Sequence, residues 1–538
     1  MDDTGSGEVA HRTPVAFSPG RARLAPAAAV ALAGALLGLW LIVDPHTPDL
    51  AAQVYRASLF RRHGFALWDE HWYAGHHLPG YSLLFPPLGA VLGVRVVGAI
   101  AVLLSVTLFE RLARELYGAP ARLAACWFAV AAVGDVWVGR LSFALGASLA
   151  LAAAFALLRR HPIAAGALAA LCAAASPVAG ALLGLAALTA ALSRRSPRAL
   201  LVLALPAAAV VLALALLFPE GGFEPYPLLS FLATVAVVAA FLWALPPGRP
   251  ALRAGAWIYL VACGLCVLVH TPIGSNIERY GVLLAGPLLL CARPRASAAA
   301  VLALSLAAVW VLWGPVRETR AVAGDASTSA AYYVPVERFA AALGRPVRIE
   351  VPLTRSHWEA ALLAPAVSLA RGWEKQLDER YDGVLLRSRL DAGAYRRWLD
   401  QQAVAYVALP DAPLDSSSAV EGRLIRHGLP YLRLMLTTRH WRIFEVLGAT
   451  PLVSGRARLT SLGHDAFGLR AEAPGSVVVR VRFTRYWTVV RGRGCVGRAP
   501  GGWTRVTVRG PGPLEVAARF SLARALGTAS GCVGGAGG

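Results

Sequence analysis

Charge is what this chain has least of. Only 15% of its 538 residues are Asp, Glu, Lys or Arg, against about 25% in soluble globular domains. With 57% hydrophobic residues and a mean hydropathy of +0.55, that deficit excludes an ordinary soluble protein and marks a membrane protein. Lysine is nearly absent: Lys375 is the single one, and every other basic residue is arginine. Several motifs are missing too. There is no GxxxxGK[ST] phosphate loop, no convincing dinucleotide-binding glycine pattern, no GxSxG elbow in a strand-turn-helix context and no HExxH, and no internal repeat of fixed period. The net charge of +21 is spread out, with 21 basic and 13 acidic residues in 1–314 against 31 and 18 in 315–538. With neither a clustered basic face nor a matching motif, nucleic-acid binding is excluded as a reading. Positive loops that orient helices, and a basic surface toward anionic lipid or cell-envelope polymer, explain the excess.

What is present is a series of apolar runs, each near the length needed to cross a bilayer core of about 30 Å. They fall near 24–43, 88–109, 122–138, 141–158, 162–174, 177–192, 199–218, 228–245, 252–269, 280–291 and 297–314, about eleven transmembrane helices. The first is read as an uncleaved helix, because it is long and ends in Val43-Asp44-Pro45 without a small-residue cleavage site. Arginines mark alternate loops: Arg111, Arg114 and Arg122, then Arg159 and Arg160, Arg194, Arg195 and Arg198, Arg249 and Arg253, and Arg293 and Arg295. By the positive-inside rule these loops and the tail 1–23 are cytoplasmic, and an odd helix number places the C-terminal part outside the cytoplasmic membrane. The pair of runs around Ser176-Pro177 and the short run from Tyr280 are where a merged or re-entrant helix would change the count.

The expected fold is thus a polytopic α-helical membrane domain, 24–314, with an extracytoplasmic α/β region, 315–450, a β-sandwich-like region, 451–530, and a disordered tail, 531–538. Strands are predicted over Val347–Val351 and Val404–Ala408, and helices over Pro335–Leu343 and Asp391–Gln402. Strict alternation around Val479, Val481 and Phe483, around Val506 and Val508, and from Leu514 to Phe520 reads as half-buried antiparallel strands. Of seven cysteines only Cys495 and Cys532 lie in this part. One disulfide in an oxidising compartment suits such a pair; two unrelated free thiols is the alternative. The charged segment from Arg371 to Gly383 reads as a solvated helix face with an aromatic anchor, with sugar or polymer recognition as the alternative.

The first external loop, residues 44–80, departs most from the average. It holds five of the 12 histidines (His46, His63, His71, His76 and His77), with Asp44, Asp49, Asp69, Glu70, Trp68, Trp72 and Tyr73. From Pro48 to Gly64 the pattern predicts an amphipathic helix on the membrane surface, with Asp49 in its first turn where the helix dipole favours a carboxylate. A first helix, an acid just past it, a surface helix, the segment WDEHWYAGH and then many helices with a soluble C-terminal region resemble the GT-C-type membrane glycosyltransferases and their bacterial relatives. Those relatives include the YfhO-like and 6-pyruvoyl-tetrahydropterin-synthase-related membrane proteins. The resemblance covers the membrane half in architecture and residues 44–81 in motif. It departs in lacking an Asp-Asp or Asp-Glu pair directly after the first helix.

The resemblance implies transfer of a sugar from a polyprenyl-phosphate-linked donor to a cell-envelope glycan or lipid acceptor, with a carboxylate in the first external loop. By position Asp49 matches that carboxylate, Asp44 comes second and Glu70 would be a second acid. Developing charge on a phosphate leaving group needs preorganised cations or donors. Arg140 and Arg279, each near an outer boundary, are the candidates, with His71, His76 and His77 as alternatives and Trp72 and Tyr73 as sugar platforms. Against these stand plainer roles: Asp49 as a helix cap, the arginines as partners of Asp135 and Glu278, and the aromatics as an interfacial belt. A divalent metal held by Asp69, Glu70 and His71 is a further reading without a strong ligand spacing. Arg95, inside an apolar stretch, must snorkel, pair or line a cavity. A lipid or solute transporter or flippase, and a non-catalytic envelope-assembly protein, are the rival functions. Concentration of ionisable residues at one boundary rather than at the midplane counts against transport.

Overall fold

The computed structural model describes residues 27–119, 121–387, 389–527 and 532. The expected cytoplasmic tail, 1–23, and the terminal tail, apart from Cys532, lie outside the described residues. The membrane half is built from α1 (Ala27–Val43), α2 (Pro48–His63), α3 (Phe85–Leu92), α4 (Val94–Tyr117), α5 (Ala121–Trp137), α6 (Leu141–Leu158) and α7 (Pro162–Ala175). It continues with α8 (Pro177–Arg194), α9 (Leu200–Leu217), α10 (Leu228–Ala244), α11 (Pro250–Leu268), α12 (Glu278–Ala292) and α13 (Ala298–Val322). Between α2 and α3 a small ribbon pairs β1 (Trp68–Asp69) with β2 (His76–His77). The apolar runs fall on α1 and α3 to α13, the run over 88–109 being split at Gly93 between α3 and α4, and six helices, α4, α6, α8, α9, α11 and α13, are long and apolar enough to cross a membrane. Large side chains such as Leu212, Leu216, Trp257 and Leu268 are exposed, which is tolerable in lipid and costly in water. Inside, small residues let backbones approach: Gly146 lies where an added Cβ would meet the Cβ of Ser176 at 3.0 Å.

Ser176 separates α7 from α8 by capping the latter, accepting from the Ala179 N–H at 3.3 Å, with Pro177 in the first turn. α13 runs through Pro315 to Val322, beyond the end of its apolar run, and in this extension Thr319 donates to the Pro315 carbonyl at 2.7 Å and accepts from Trp137 Nε1 at 2.7 Å. The end of hydrophobicity marks where the surroundings become polar, not where the helix stops.

The C-terminal half holds α14 (Ala330–Ala342), β3 (Arg348–Glu350), α15 (Glu359–Leu362), β4 (Ser368–Leu369), α16 (Lys375–Tyr381), α17 (Ala392–Gln401), β5 (Tyr406–Pro410), α18 (Ala419–His427), β6 (Leu432–Thr437) and β7 (Trp441–Val446). The five strands form one sheet in the order β4-β3-β5-β7-β6, parallel from β4 to β5 and antiparallel beyond. Then β8 (Val453–Ser454), β9 (Ala457–Leu462), β10 (Ala466–Ala471), β11 (Gly475–Arg482), β12 (Trp487–Arg491), β13 (Gly494–Arg498), β14 (Trp503–Val508) and β15 (Gly512–Ala518) build two four-stranded antiparallel sheets, β12-β15-β10-β9 and β13-β14-β11-β8. Val479, Val506, Val516 and Trp487 fill the space between them. Cys495 of β13 is disulfide-bonded to Cys532, with Cα atoms 5.2 Å apart.

Three local expectations fail for one reason. α2 keeps only part of its polar face exposed: Arg61 and Arg62 are exposed, but Gln53 and Arg56 are buried along with Leu50, Tyr55 and Leu59. The charged segment from Arg371 is not solvated, since Arg371 and Asp378 are buried. The alternation in β11 breaks at Arg482, which is buried although its place in the pattern points to water. In each case a polar surface from another segment covers the residue, and for Arg371 that surface is Ser418 and Glu421 of its own half. Arg482 Nε donates to the Tyr73 carbonyl at 2.7 Å, its guanidinium stacks on Tyr381 at 3.4 Å, and Arg56 pairs with Glu374 at 2.6 Å.

Candidate active site

The site begins at the bend where α1 and α2 meet at 82°. Thr47 anchors the start of α2 by donating to the Trp137 carbonyl at 3.2 Å, and Pro48 fits the first turn, where no amide donor is needed. Asp49 follows in that turn, its side chain 34% exposed. The turn joining α5 to α6 comes up against it through Gly139, at φ 100°. A Cβ there would lie 2.9 Å from the Asp49 carbonyl carbon and 3.0 Å from the Leu50 Cα, so glycine is what the approach demands. The next residue, Arg140, brings its Nε to 3.5 Å from Asp49 and its Nη1 to 3.5 Å from Asp135.

Arg279, in the first turn of α12, accepts its own position from Asn276, to which it donates at 2.5 Å, and from the Phe143 ring, 5.1 Å from its guanidinium. It lies within electrostatic range of Asp49, Asp135, Arg140 and Tyr81. Neither Arg140 Nε nor Arg279 Nε has a hydrogen-bond acceptor among the described residues, although both are buried. Two guanidiniums with unused donors beside a partly open carboxylate can hold an anion while the carboxylate takes a proton.

A second carboxylate joins them. Glu224, in the loop between α9 and α10, donates its N–H to the Thr271 carbonyl at 3.0 Å and accepts from Ser275 Oγ at 3.1 Å. Burial pushes its pKa up to about 7, opposed by Ser275, Arg279 and, more weakly, Lys375.

The remaining sequence candidates lie elsewhere. Asp44 is ion-paired with Arg95 at the end of α1, half exposed; Arg95 also donates to the Pro45 carbonyl at 3.2 Å, so the arginine in the apolar stretch is paired. Asp69 accepts from Tyr55 at 2.8 Å, whereas Glu70 turns the opposite way to Arg348 at 2.7 Å. Burial raises Asp69 to about 6 and Glu70 to about 8. His71 lies 3.7 Å from Asp69, His76 stacks on Trp72, and His77 is paired with Glu220 and Thr484. Burial lowers His71 to about 4 and His76 to about 3, so both rings are neutral at pH 7. Trp72 and Tyr73 are fully buried, donating respectively to the Ala360 carbonyl at 3.0 Å and to Asp378 at 3.0 Å. These side chains fasten the first loop to the C-terminal half. Among the described residues no group of three or more His, Cys, Asp or Glu is placed to hold a metal ion, and Asp69 and Glu70 diverge.

No protein-family model matches the chain, and no curated protein matches it. Among solved structures it is similar to the single-particle cryo-EM structure of the arabinofuranosyltransferase AftD from mycobacteria, with a TM-score of 0.49 and 14% sequence identity over 93% of this chain and 57% of that one. The chain therefore spans little more than half the length of that enzyme.

Of the sequence candidates, then, Asp49, Arg140 and Arg279 come together, and Glu224 was not among them. Its one sequence signal is an acid in a short loop between two apolar runs. Its partner Ser275 is 51 residues away, which no local spacing reveals.

Proposed function

We propose that this membrane protein is a GT-C-like glycosyltransferase that moves a sugar from a polyprenyl-phosphate-linked donor to a cell-envelope acceptor at the extracytoplasmic face. The observation that carries the reading is the grouping of partly exposed Asp49 with Arg140 and Arg279 at one end of the helix bundle. The arginine-marked loops support the orientation, because they alternate with the loops that hold this group. Asp49 removes the proton of an acceptor hydroxyl. The freed oxygen pair bonds to the anomeric carbon from the face opposite the phosphate, the bond to the phosphate oxygen breaks with its electrons, and configuration inverts. Arg140 and Arg279 hold the charge that gathers on the departing phosphate.

The test is transfer from radiolabelled polyprenyl-phosphate sugars by the purified full chain in lipid vesicles. Asp49→Asn is expected to lower kcat by about 10² to 10⁴, the usual contribution of a general base. Asp44→Asn, which loses the pairs with Arg95 and His46 at the end of α1, stays within a few-fold of wild type. Wild-type turnover in Asp49→Asn would end the assignment.

A further inference from the structure

The loop that carries Glu224 is covered from above by the C-terminal half. α16 and its approach press on it at several points. Gln376 Nε2 donates to the Pro272 carbonyl at 3.1 Å, beside the Ser275 that holds Glu224. A Cβ on Gly222 would reach the Gln376 Cα at 3.3 Å, and Gly221 faces the guanidinium of Arg380. Both glycines have positive φ, 72° and 82°, so the loop is shaped to admit the helix. α16 is fixed from its other side by Glu374, which binds Arg56 of α2 at 2.6 Å, and by Asp378, which accepts from Tyr73 at 3.0 Å. Between these anchors stands Lys375, half-buried, within electrostatic range of Glu224. Glu224 is in turn within range of Arg279 and Asp49.

We propose that Lys375, carried by the C-terminal half, is a phosphate-holding residue of the membrane site, so that the site is complete only when α16 is docked. The proposal rests on the glycosyltransferase reading. Chemistry favours a lysine at this place. A guanidinium at Arg140 or Arg279 is rigid and its geometry is set by protein partners, whereas an ammonium on a four-carbon stem is a mobile point charge that can follow a phosphate as its bond to the sugar lengthens. The chain uses arginine for every other basic residue, and its single ammonium side chain is the one the C-terminal half presents here.

That single lysine permits a clean experiment on the full chain in vesicles. Lys375 is acylated with an amine reagent, its peptide resolved by mass from the N-terminal amine, with and without polyprenyl phosphate; inorganic phosphate is a separate arm that distinguishes a lipid phosphate from the free anion. Binding is followed in parallel by thermal shift in wild type, Lys375→Gln, Lys375→Arg and Arg279→Gln. Polyprenyl phosphate should slow acylation of Lys375 at least fivefold, and Lys375→Gln should weaken binding about tenfold, as expected for one hydrogen bond to a charged group. Lys375→Arg should restore part of the affinity, and both Lys375 variants should keep the wild-type melting midpoint without ligand. If wild type binds polyprenyl phosphate and Arg279→Gln weakens it, yet Lys375 is unprotected and Lys375→Gln binds as wild type does, the lysine role is overturned and the glycosyltransferase reading stands. If wild type binds no polyprenyl phosphate, both fall together.

Discussion

The ion pair between Glu70 and Arg348 separates a chemical role for Glu70 from a structural one. Arg348 is fully buried at the start of β3, and it donates to Glu70 at 2.7 Å and to the Gln402 carbonyl at 2.7 Å. Glu70 is 1% exposed. Removing the carboxylate with Glu70→Leu leaves a buried guanidinium that has no means of shedding its charge, so the cost is about 3–5 kcal/mol. Removing the guanidinium with Arg348→Met is cheaper. Burial raises the Glu70 pKa to about 8 even with Arg348 present, so the carboxyl is already largely protonated near pH 7, and Arg348→Met costs only a hydrogen bond, about 1–2 kcal/mol. The double substitution restores an apolar contact and recovers most of the larger loss. For a folding unit of ~200 residues, the single Glu70 change lowers the melting midpoint by roughly 10 °C. Tryptophan fluorescence during thermal unfolding in detergent reads it, beside the transfer assay. Equal small costs for the two single changes would refute the asymmetry. A double variant that melts as wild type does but no longer transfers sugar would return Glu70 to the chemistry.

Other predictions follow from the site and its supports. Gly139→Ala puts a Cβ against the Asp49 and Leu50 backbone at positive φ, so it should cost more than about 1 kcal/mol while lowering kcat about 10²-fold by shifting Asp49 from Arg140; unchanged turnover would show that the spacing is immaterial. His71 and His76 are held near 4 and 3 by burial, while unfolded histidine titrates near 6.5. The unfolded state therefore binds more protons below that value, so stability is complete above pH 6.5 and lost as the pH falls toward 4, by up to about 1.4 kcal/mol per unit and group. Asp69, Glu224 and Glu70, raised to about 6, 7 and 8, work the other way, losing stability as the pH climbs toward those values, and together they outweigh the histidines in the profile of the whole chain. The histidine contribution is therefore read as a difference: relative to His71→Gln/His76→Gln, the wild-type melting midpoint should drop as the pH falls from about 6.5 to 4.5, and a pH-independent difference would contradict the neutral, buried rings.

What was legible in the sequence was whatever depends on near neighbours. The apolar runs, the Ser176-Pro177 break, the Pro48 start and Gly64 stop of α2, and the alternation within β11, β14 and β15 all arise within a dozen residues, and Asp49 could be singled out because the bend after α1 is local. What was not legible depends on contact between distant segments. Arg56, Arg371 and Arg482 look like solvent residues in any local window, and each is buried because another polar surface covers it. The crowding of histidines and tryptophans in the first loop drew the eye as chemistry, yet His76, Trp72 and Tyr73 are there to be packed, with His76 stacked on Trp72 and Trp68 entering the core of the sandwich. Composition could not tell an aromatic held for a sugar from one held for a β-sheet.

That shared burial has a consequence for how the protein is made. Arg482 closes on Tyr73 across 409 residues of chain, and Thr484 closes on His77 across 407. The first loop therefore leaves the ribosome long before the strands that will bury Trp68 and Tyr73 exist, and Asp49, at its start, stands next to a segment that is still waiting. Contacts closed over such distances form late, and surface exposed in the interval invites misassembly. A chain stopped after the last membrane helix would thus hold its helices but lack the cover for its first loop, and the end of the bundle that carries Asp49 would be the last part of the molecule to mature.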